Sequence, residues 1–393
     1  MVSLENIYIL VIIFLINSEY AMSEQFKNIN NILVKVHSSL ASINPKALPV
    51  LEVISKYQTT NVSEMSRKTG IPVSTLHKFL DHLFQYQIKI GIYIDLYTIG
   101  LKLYFLVIYK PDQHAIKTIN EMIGEYSILN CDVADGNLSF MKICLPDDAQ
   151  NNLIELLEDL KSKKDIENYD LYVVTPNIQP AISFRNYDSD KRAWRINWDS
   201  ILNIINMGSF KDLDERLKSI KSTKQWLDDT DITILKMLDD NVFTALSDIQ
   251  RKANEPSFQK IYYHYIQHVE KKHIIMSYRI RFEPYEEPTH YTILYVMLSG
   301  SYDMAKFIDA LTNQIYVYGI SRVLGEPSLL IELPVNPIMK TGLNNLLERL
   351  KEQKFVRDYK IFYADHATEK PIPFNLYNTS TETWLWKKQV ILK

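Results

Sequence analysis

Two eight-residue stretches of the chain carry the same pattern: "SEMSRKTG" at residues 63–70 and "SDIQRKAN" at residues 247–254. Each has a serine, an acid, an apolar residue and a polar residue, then Arg-Lys, a small residue and a residue that tolerates the end of a helix. The two stretches are 184 residues apart. Because 393 residues exceed one ordinary core, the repeat predicts a duplicated module.

The flanks of the repeat also match. Upstream, Ile54 and Leu238 occupy equivalent places in two apolar helical patterns. Downstream, "VSTLHKFLDHL" predicts a helix with Leu76, Leu80 and Leu83 inward, and "QKIYYHYIQHV" predicts one with Tyr262, Ile266 and Val269 inward. The spacing has grown to 186, which places two extra residues in the turn at residues 254–258.

Each copy therefore predicts three short helices. The middle helix is expected to begin at Ser63 or Ser247 and to end at Gly70 or Asn254. A tight turn followed by an amphipathic helix is the helix-turn-helix pattern. A β-rich segment follows each copy, "IKIGIYIDLYTIG" or "IIMSYRIRFEP", as a wing or a connecting strand would.

The next hundred residues of each copy predict strand, helix, strand, strand, helix, strand, beginning with "LKLYFLVIY" and "HYTILYVML". An antiparallel sheet with both helices on one face leaves its other face in need of a partner. The predicted fold class is α+β, with two helix-turn-helix and ferredoxin-like modules whose sheets pack together. The predicted divisions are residues 1–44, an N-terminal extension; 45–98, helix-turn-helix 1; 99–198, ferredoxin-like domain 1; 199–228, a helical linker; 229–285, helix-turn-helix 2; and 286–393, ferredoxin-like domain 2.

This order of modules resembles the Lrp/AsnC family of transcription regulators. The second copy, "DDTDITILKMLDDN" through "IYYHYIQHVEKKHIIMSYRI", is closer to the family than the first. The resemblance implies DNA binding and an amino-acid effector. Ligand-sensing members carry a Gly-x-x-Asp turn, where this chain has Ser139 after Gly136 and Ser328 after Gly325. A hydroxyl is a weaker partner for an ammonium than a carboxylate, so these four residues are only a weak effector site.

The third helix of a helix-turn-helix lies in the major groove, where its outward side chains can contact bases. The double-stranded DNA contacts expected in the first copy are Arg67, Lys68, Ser74, Thr75, His77 and Lys78. Those expected in the second copy are Arg251, Lys252, Gln259, Lys260, Tyr263 and His264. The Arg-Lys pairs also have a simpler interpretation, since cations at a helix C-terminus interact favourably with its dipole.

Neither a metal nor a cofactor is predicted. His264 and His268 have metal-ligand spacing on a helix, but the sequence shows no third ligand beside them. Cys131 and Cys144 match no metal or redox spacing and are expected to be reduced thiols of a cytoplasmic protein. The formal net charge of −3 means that any DNA-binding surface must be local.

The apolar run "IYILVIIFLI" at residues 7–16 is too short to span a bilayer as a helix. It is interpreted as sequence upstream of a start at Met22, with a packing segment or an export signal as the alternatives. No membrane partner is expected.

The sequence thus favours a DNA-binding transcription regulator and not an enzyme, with one chain acting as a pseudo-dimer on an asymmetric site. A small-molecule effector and further association through the sheets are compatible with it. The alternatives are a protein-interaction module, a non-specific DNA-packing protein, and an enzyme similar to tetrapyrrole decarboxylases, some of which resemble this family. The His-Asn-Tyr type of segment associated with those enzymes is not found near the third strand.

Overall fold

The computed structural model describes residues 45–85, 88–132, 137–188, 193–207, 212–218, 226–282 and 289–386. The apolar run at residues 7–16, the proposed start at Met22, and Gly136 lie outside the described residues. The chain is a mixture of helices and mainly antiparallel sheets, as expected for the α+β class. Among the described residues, no helix has the length and apolar character needed to cross a membrane.

The first head consists of three helices, α1 (Leu48–Tyr57), α2 (Val62–Thr69) and α3 (Val73–Gln85). Helix α2 begins at Val62, one residue before the expected Ser63, and its cap is Asn61, whose side chain accepts a hydrogen bond from the Glu64 amide. It ends at Gly70, whose φ of 72° is left-handed. Leu76, Leu80 and Leu83 are buried, which confirms the predicted inward stripe of α3.

The second head consists of α8 (Asp229–Asp240), α9 (Leu246–Lys252), α10 (Phe258–Tyr263) and a π-helical continuation of α10 (His264–Glu270). Helix α9 has no side-chain cap, and Ser247 lies inside it, so the predicted start is wrong. Met65 and Ile249 are buried at equivalent positions of α2 and α9, in agreement with the spacing of 184.

Two sheets follow the heads and share one strand order. The elements of the first copy are β1 (Lys89–Ile94), β2 (Leu101–Tyr109), α4 (Gln113–Ile123), β3 (Ser127–Asp132), β4 (Leu138–Pro146), α5 (Gln150–Lys163) and β5 (Asn168–Val174). Those of the second are β8 (Ile275–Arg281), β9 (His290–Leu298), α11 (Ser301–Thr312), β10 (Gly319–Arg322), β11 (Ser328–Val335), α12 (Pro337–Glu352) and β12 (Val356–Ala364). The first sheet is ordered β3, β4, β2, β5 and the second β10, β11, β9, β12, so that the first strand of each sheet in chain order, β2 or β9, lies between the third and the fourth.

Strands of one copy pair with strands of the other at three places. β1 and β8, which each follow a head, pair antiparallel with one another, so they are connecting strands and not wings packed on their own heads. Strand β13 (His366–Glu369) of the second copy adds to the edge of the first sheet through β3. In return, the segment after β5 pairs with β10, where Ile178 and Ile320 exchange two backbone hydrogen bonds of 3.0 and 2.8 Å.

The sheets contact each other through aromatic side chains. The Phe105 and Phe362 rings lie edge to face with centroids 5.7 Å apart, and Tyr172 lies 5.2 Å from Tyr295. Each pair joins a strand of the first sheet to a strand of the second. Aromatic pairs at these distances add about 0.5–1.5 kcal/mol each beyond the area they bury.

The remaining elements form the linker and two tails. They are β6 (Tyr187–Asp188), β7 (Ala193–Trp194), α6 (Trp198–Met207), α7 (Glu215–Lys218), β14 (Tyr377–Asn378) and β15 (Thr383–Trp384). Trp384 of the second tail is buried, and its indole N–H donates to the Ile99 carbonyl at 2.7 Å. The second tail therefore packs on the first copy, which agrees with a packing role for its tryptophans.

Candidate functional site: two exposed heads and a charged cavity

The predicted contact residues of the first head lie at its surface. Arg67 and Lys68 are exposed at the end of α2, and Ser74, His77 and Lys78 are exposed on α3, with Thr75 partly exposed. The Lys68 ammonium lies 4.3 Å from the centroid of the Tyr57 ring. Within the part of the chain that the structure describes, neither Arg67 nor Lys78 forms an ion pair. This face is thus basic and open to solvent.

The second head exposes its predicted residues with one exception. Arg251, Lys252, Gln259, Lys260 and Tyr263 are exposed. Arg251 pairs with Asp248, and the Lys260 ammonium lies 2.8 Å from the Glu255 carboxylate, whose pKa the contact lowers. Two cations of this head are therefore partly neutralised by the chain itself, which weakens their attraction for phosphates.

His264 is the exception, because it is only 6% exposed. Its Nδ1 atom lies 2.9 Å from a carboxylate oxygen of Asp231, at the start of α8. The prediction that His264 contacts DNA is therefore wrong, since the side chain points into the head. His268 points to the same carboxylate, with Nδ1 3.1 Å from Oδ2 of Asp231.

The predicted inward stripe of the third helix in the second head is wrong at its first position and confirmed at its last. Ile261 is buried in place of Tyr262, which is 53% exposed, and Val269 is buried as predicted. Leu76 thus corresponds to Ile261 at a spacing of 185, and Leu83 to Val269 at 186. Only one of the two extra residues lies in the turn, because the other is accommodated by the wider turn of the π-helix at His264–Glu270.

The weak effector site is only partly described. Ser139 is buried, and its hydroxyl lies 3.5 Å from the Cys131 carbonyl. Ser328 is also buried, and its hydroxyl lies 3.2 Å from the hydroxyl of Tyr295. Gly325 has the left-handed φ of 88° that a turn of this kind requires. Both hydroxyls thus lie within hydrogen-bonding distance of other groups of the chain.

A cavity of about 80 Å³ lies where β1 and β8 meet the two sheets. Its wall contains four cations and three carboxylates, together with two tyrosines and an asparagine. These polar residues are Lys142, Arg279, Arg281 and Lys370, Asp239, Glu332 and Glu369, Tyr93 and Tyr291, and Asn177. The cavity therefore has one more positive than negative group.

The centre of this cavity wall is an ion pair between the sheets. Lys142 on β4 contacts Glu332 on β11, and the two side chains are 3% and 2% exposed. Burial acts to raise the pKa of Glu332, but Lys142 and Arg281, with hydrogen bonds from Lys142 and Tyr291, outweigh it and hold the pKa at about 2. Glu332 is ionised at neutral pH.

Lys142 and Glu332 are equivalents in the two copies. In the register of the first sheet, Lys142 on β4 is paired with Phe105 on β2, and Phe105 is paired with Tyr172 on β5. In the second sheet, Glu332 on β11 is paired in the same way with Ile293 on β9, and Ile293 with Phe362 on β12. The pair thus lies where an axis relating the copies would pass. Two identical modules would place like charges there, so the fused chain can form a pair that a symmetric dimer of one module could not.

Arg281 has an incomplete set of hydrogen-bond partners. Its guanidinium donates to the Tyr93 hydroxyl at 2.8 Å and lies 3.1 Å from Glu369. Its Nε and Nη1 atoms are buried and have no hydrogen-bond partner among the described residues. Because a buried guanidinium normally has its donors satisfied, the N–H groups of these two nitrogen atoms favour an anion at this point.

The tyrosines beside Arg281 remain protonated at neutral pH. Burial raises the pKa of Tyr93 and of Tyr291 well above the usual range. Tyr291 donates to Glu332, and Tyr93 donates to the Tyr318 carbonyl at 3.0 Å. Each hydroxyl thus already donates its one proton within the chain, and the donors left for a carboxylate are the N–H groups of Arg281.

Sequence reasoning missed the cavity, although a signal was present. Lys142 and Glu332 each interrupt an otherwise apolar strand, in "LSFMKICLP" and "SLLIELPV". A charge in the middle of a buried strand requires a partner, and opposite charges at equivalent repeat positions identify it.

Comparison with protein families gives no matching model, and no curated protein matches the chain. Among solved structures, the siroheme decarboxylase NirDL in complex with an iron-uroporphyrin III analogue is 10% identical. It covers 79% of this chain and 86% of its own, with a TM-score of 0.42. A second structure of NirDL is 11% identical, covers 83% of this chain and 92% of its own, and has a TM-score of 0.40.

An AsnC family transcriptional regulator from Agrobacterium tumefaciens is also similar. It is 12% identical and covers 33% of this chain and 89% of its own, with a TM-score of 0.24. The expectation that the chain is not an enzyme is contradicted by the two NirDL matches, which cover 79% and 83% of the chain and are of an enzyme.

Proposed function

We propose that the chain binds double-stranded DNA through its two heads and acts as a transcription regulator. In this proposal each head is a helix-turn-helix, each sheet with its helices is a ferredoxin-like domain, and the divisions follow those predicted from the repeat. The observation that carries the proposal is the open basic face of the first head, where Arg67, Lys68 and Lys78 surround an exposed third helix.

The two heads would read different sequences. The first exposes Ser74, His77 and Lys78, whereas the second exposes Gln259, Lys260 and Tyr263. Gln pairs well with adenine and Lys with guanine, and a good pair contributes about 1–3 kcal/mol of discrimination. Because the heads belong to one chain, binding by one raises the effective concentration of the other.

The test is binding of the full chain to a labelled duplex over a range of salt concentrations. Lys78→Ala is expected to weaken binding and to reduce the slope of log affinity against log salt by about one, because one phosphate contact is lost. The control is Lys117→Ala on α4, whose side chain pairs with Glu121. Equal slopes of log affinity against log salt for the parent chain, Lys78→Ala and Lys117→Ala would show that Lys78 does not contact DNA.

A second candidate function is binding, or chemical conversion, of a small carboxylate in the cavity. The observation that favours it is the pair of buried Arg281 donors without a partner among the described residues. About 80 Å³ is below the ~300–1,000 Å³ of most ligand pockets, so the cavity in its present form suits a group of acetate size. A tetrapyrrole, such as the one bound by NirDL, would require the walls to move apart or only its carboxylate arm to enter.

In a decarboxylation at this site, the electron pair left on carbon when carbon dioxide departs would take the proton of a neutral tyrosine, and the tyrosinate would regain a proton from water. The binding step is tested by measuring the melting temperature of the chain at increasing concentrations of acetate, propionate or benzoate. A rise in melting temperature that is lost in Arg281→Met supports carboxylate binding in the cavity. No stabilisation by any of the three removes this candidate and leaves the DNA proposal unaffected.

A further inference from the structure

The second head contains a cluster of four metal-ligating side chains that the proposed function does not use. Asp228 and Asp231 begin α8, and His264 and His268 lie on the π-helix that continues α10. One potential ligand atom from each residue lies within 4.8 Å of all the others. We propose that these four residues bind a divalent transition metal, with zinc as the best match.

The distances within the cluster already approach those of a metal centre. His264 Nδ1 lies 2.9 Å from Asp231 Oδ1 and 3.4 Å from Asp228 Oδ2, and His268 Nδ1 lies 3.1 Å from Asp231 Oδ2. In a tetrahedral zinc site with bonds of about 2.0–2.1 Å, neighbouring ligand atoms are about 3.3 Å apart. Small side-chain movements would therefore complete the coordination shell.

The burial of the cluster fits a structural site with an entry path. Asp231 is buried and His264 nearly so, whereas the side chains of His268 and Asp228 are 26% and 51% exposed. A metal can therefore enter from the Asp228 side and finish against Asp231. Two imidazoles with two carboxylates suit zinc, and four protein ligands leave no open position for a substrate.

The local backbone provides an independent indication. A π-helix is rare, and short π segments are frequent at functional sites. Here the segment spans His264–Glu270 and contains both histidines, whose ring centroids lie 4.6 Å apart. An ordinary capping box at Asp228 and Asp231 requires no such distortion in a helix 33 residues away.

The described residues of the first head contain no equivalent cluster. At the spacing of 184, Asp231 corresponds to Ala47, which is fully buried, and at 185 His264 corresponds to Phe79. Apolar side chains thus suffice to join the first and third helices in that head. The second head has replaced them with ligands, so the metal would tie the start of α8 to the third helix.

The experiment uses the full chain, stripped with a chelator and titrated with zinc against a chromophoric competitor. One equivalent of zinc is expected to bind, and zinc is expected to raise the melting temperature. The affinity should fall at least tenfold in His268→Gln and in the double variant Asp231→Ala/His264→Phe, since even neighbours of ligands cost about 10–100-fold. The double variant copies the packing of the first head and is expected to fold.

His114→Gln is the matched control, because this histidine is exposed on α4 and far from the cluster in sequence. It should bind zinc like the parent chain. Cobalt added to the stripped protein should give the intense visible bands of a tetrahedral site. Absence of uptake by the parent chain, or uptake unchanged in both cluster variants, would overturn the proposal.

Discussion

Replacing Lys142 with methionine tests whether the buried ion pair joins the two sheets. The substitution removes the ammonium and keeps most of the apolar volume. Glu332 would then be left in a buried site with Arg281, at 3.7 Å, and hydrogen bonds from Tyr291 and Asn177 as its polar contacts. The remaining charge would be almost completely buried, because Glu332 is only 2% exposed.

The size of the effect follows from the burial and the pKa of Glu332. A pKa lowered from its ordinary 4.5 to about 2 corresponds to about 3 kcal/mol in favour of the ionised form. Loss of one partner of a buried pair costs about 3–5 kcal/mol in other proteins. Since Arg281 and Tyr291 remain, we expect Lys142→Met to lower the free energy of unfolding by about 3 kcal/mol.

The assay is urea unfolding at pH 7 of the parent chain, Lys142→Met and the double variant Lys142→Met/Glu332→Leu. The double variant should recover most of the loss, because an apolar pair of similar volume is often as stable as a buried ion pair. Lys117→Met, which disrupts an exposed pair on α4, should leave the midpoint unchanged. A loss below 1 kcal/mol in Lys142→Met would refute the reasoning, because the pair would then be solvated.

Three further outcomes are expected. Glu332→Gln should be less stable than the parent at pH 7, and the difference in urea midpoint should narrow as pH falls from 4.5 towards 2. The pKa of Glu332 is lower in the folded chain than in the unfolded chain, so the stabilisation from its charge is lost in that pH window. A difference in urea midpoint that stays constant would contradict this. Gly91→Ala should destabilise the protein by about 1–3 kcal/mol in thermal or urea unfolding, because its Cβ would lie 2.2 Å from the Asp239 carbonyl oxygen of α8. Gly300→Ala, which adds a Cβ in open space, should leave the stability unchanged. Trp384→Leu should cost about 2–4 kcal/mol, since it removes a buried ring and the hydrogen bond to Ile99, and faster proteolysis of the C-terminal tail would report the loss.

The repeat predicted much of the fold because each helix or strand of the module is represented by two sequence patterns, one in each copy. The stripe of Leu76, Leu80 and Leu83 and the left-handed Gly70 follow from periodicity and local backbone rules. The pairing of β1 with β8, and of β13 with β3, did not follow, because strand partners are chosen by tertiary contacts between the copies. Local patterns carry no information on such long-range pairing.

The site was predicted less completely than the fold. Exposure of Lys78 and Gln259 follows from helix periodicity, but the buried stripe begins at Ile261 and not at Tyr262, which turns His264, three residues later, inward. The partner of the two histidines, Asp231, lies 33 residues earlier and has the appearance of a helix-capping residue in sequence. Periodicity alone does not reveal a π-helix, since it changes the spacing by a single residue.

The most direct test of the central claim is selection of bound duplexes from a random pool by the full chain at near-physiological salt. The account predicts enrichment of one asymmetric motif, with one half lost in Lys78→Ala and the other in Gln259→Ala. Uniform recovery of all sequences, or no binding even at low salt, would contradict it.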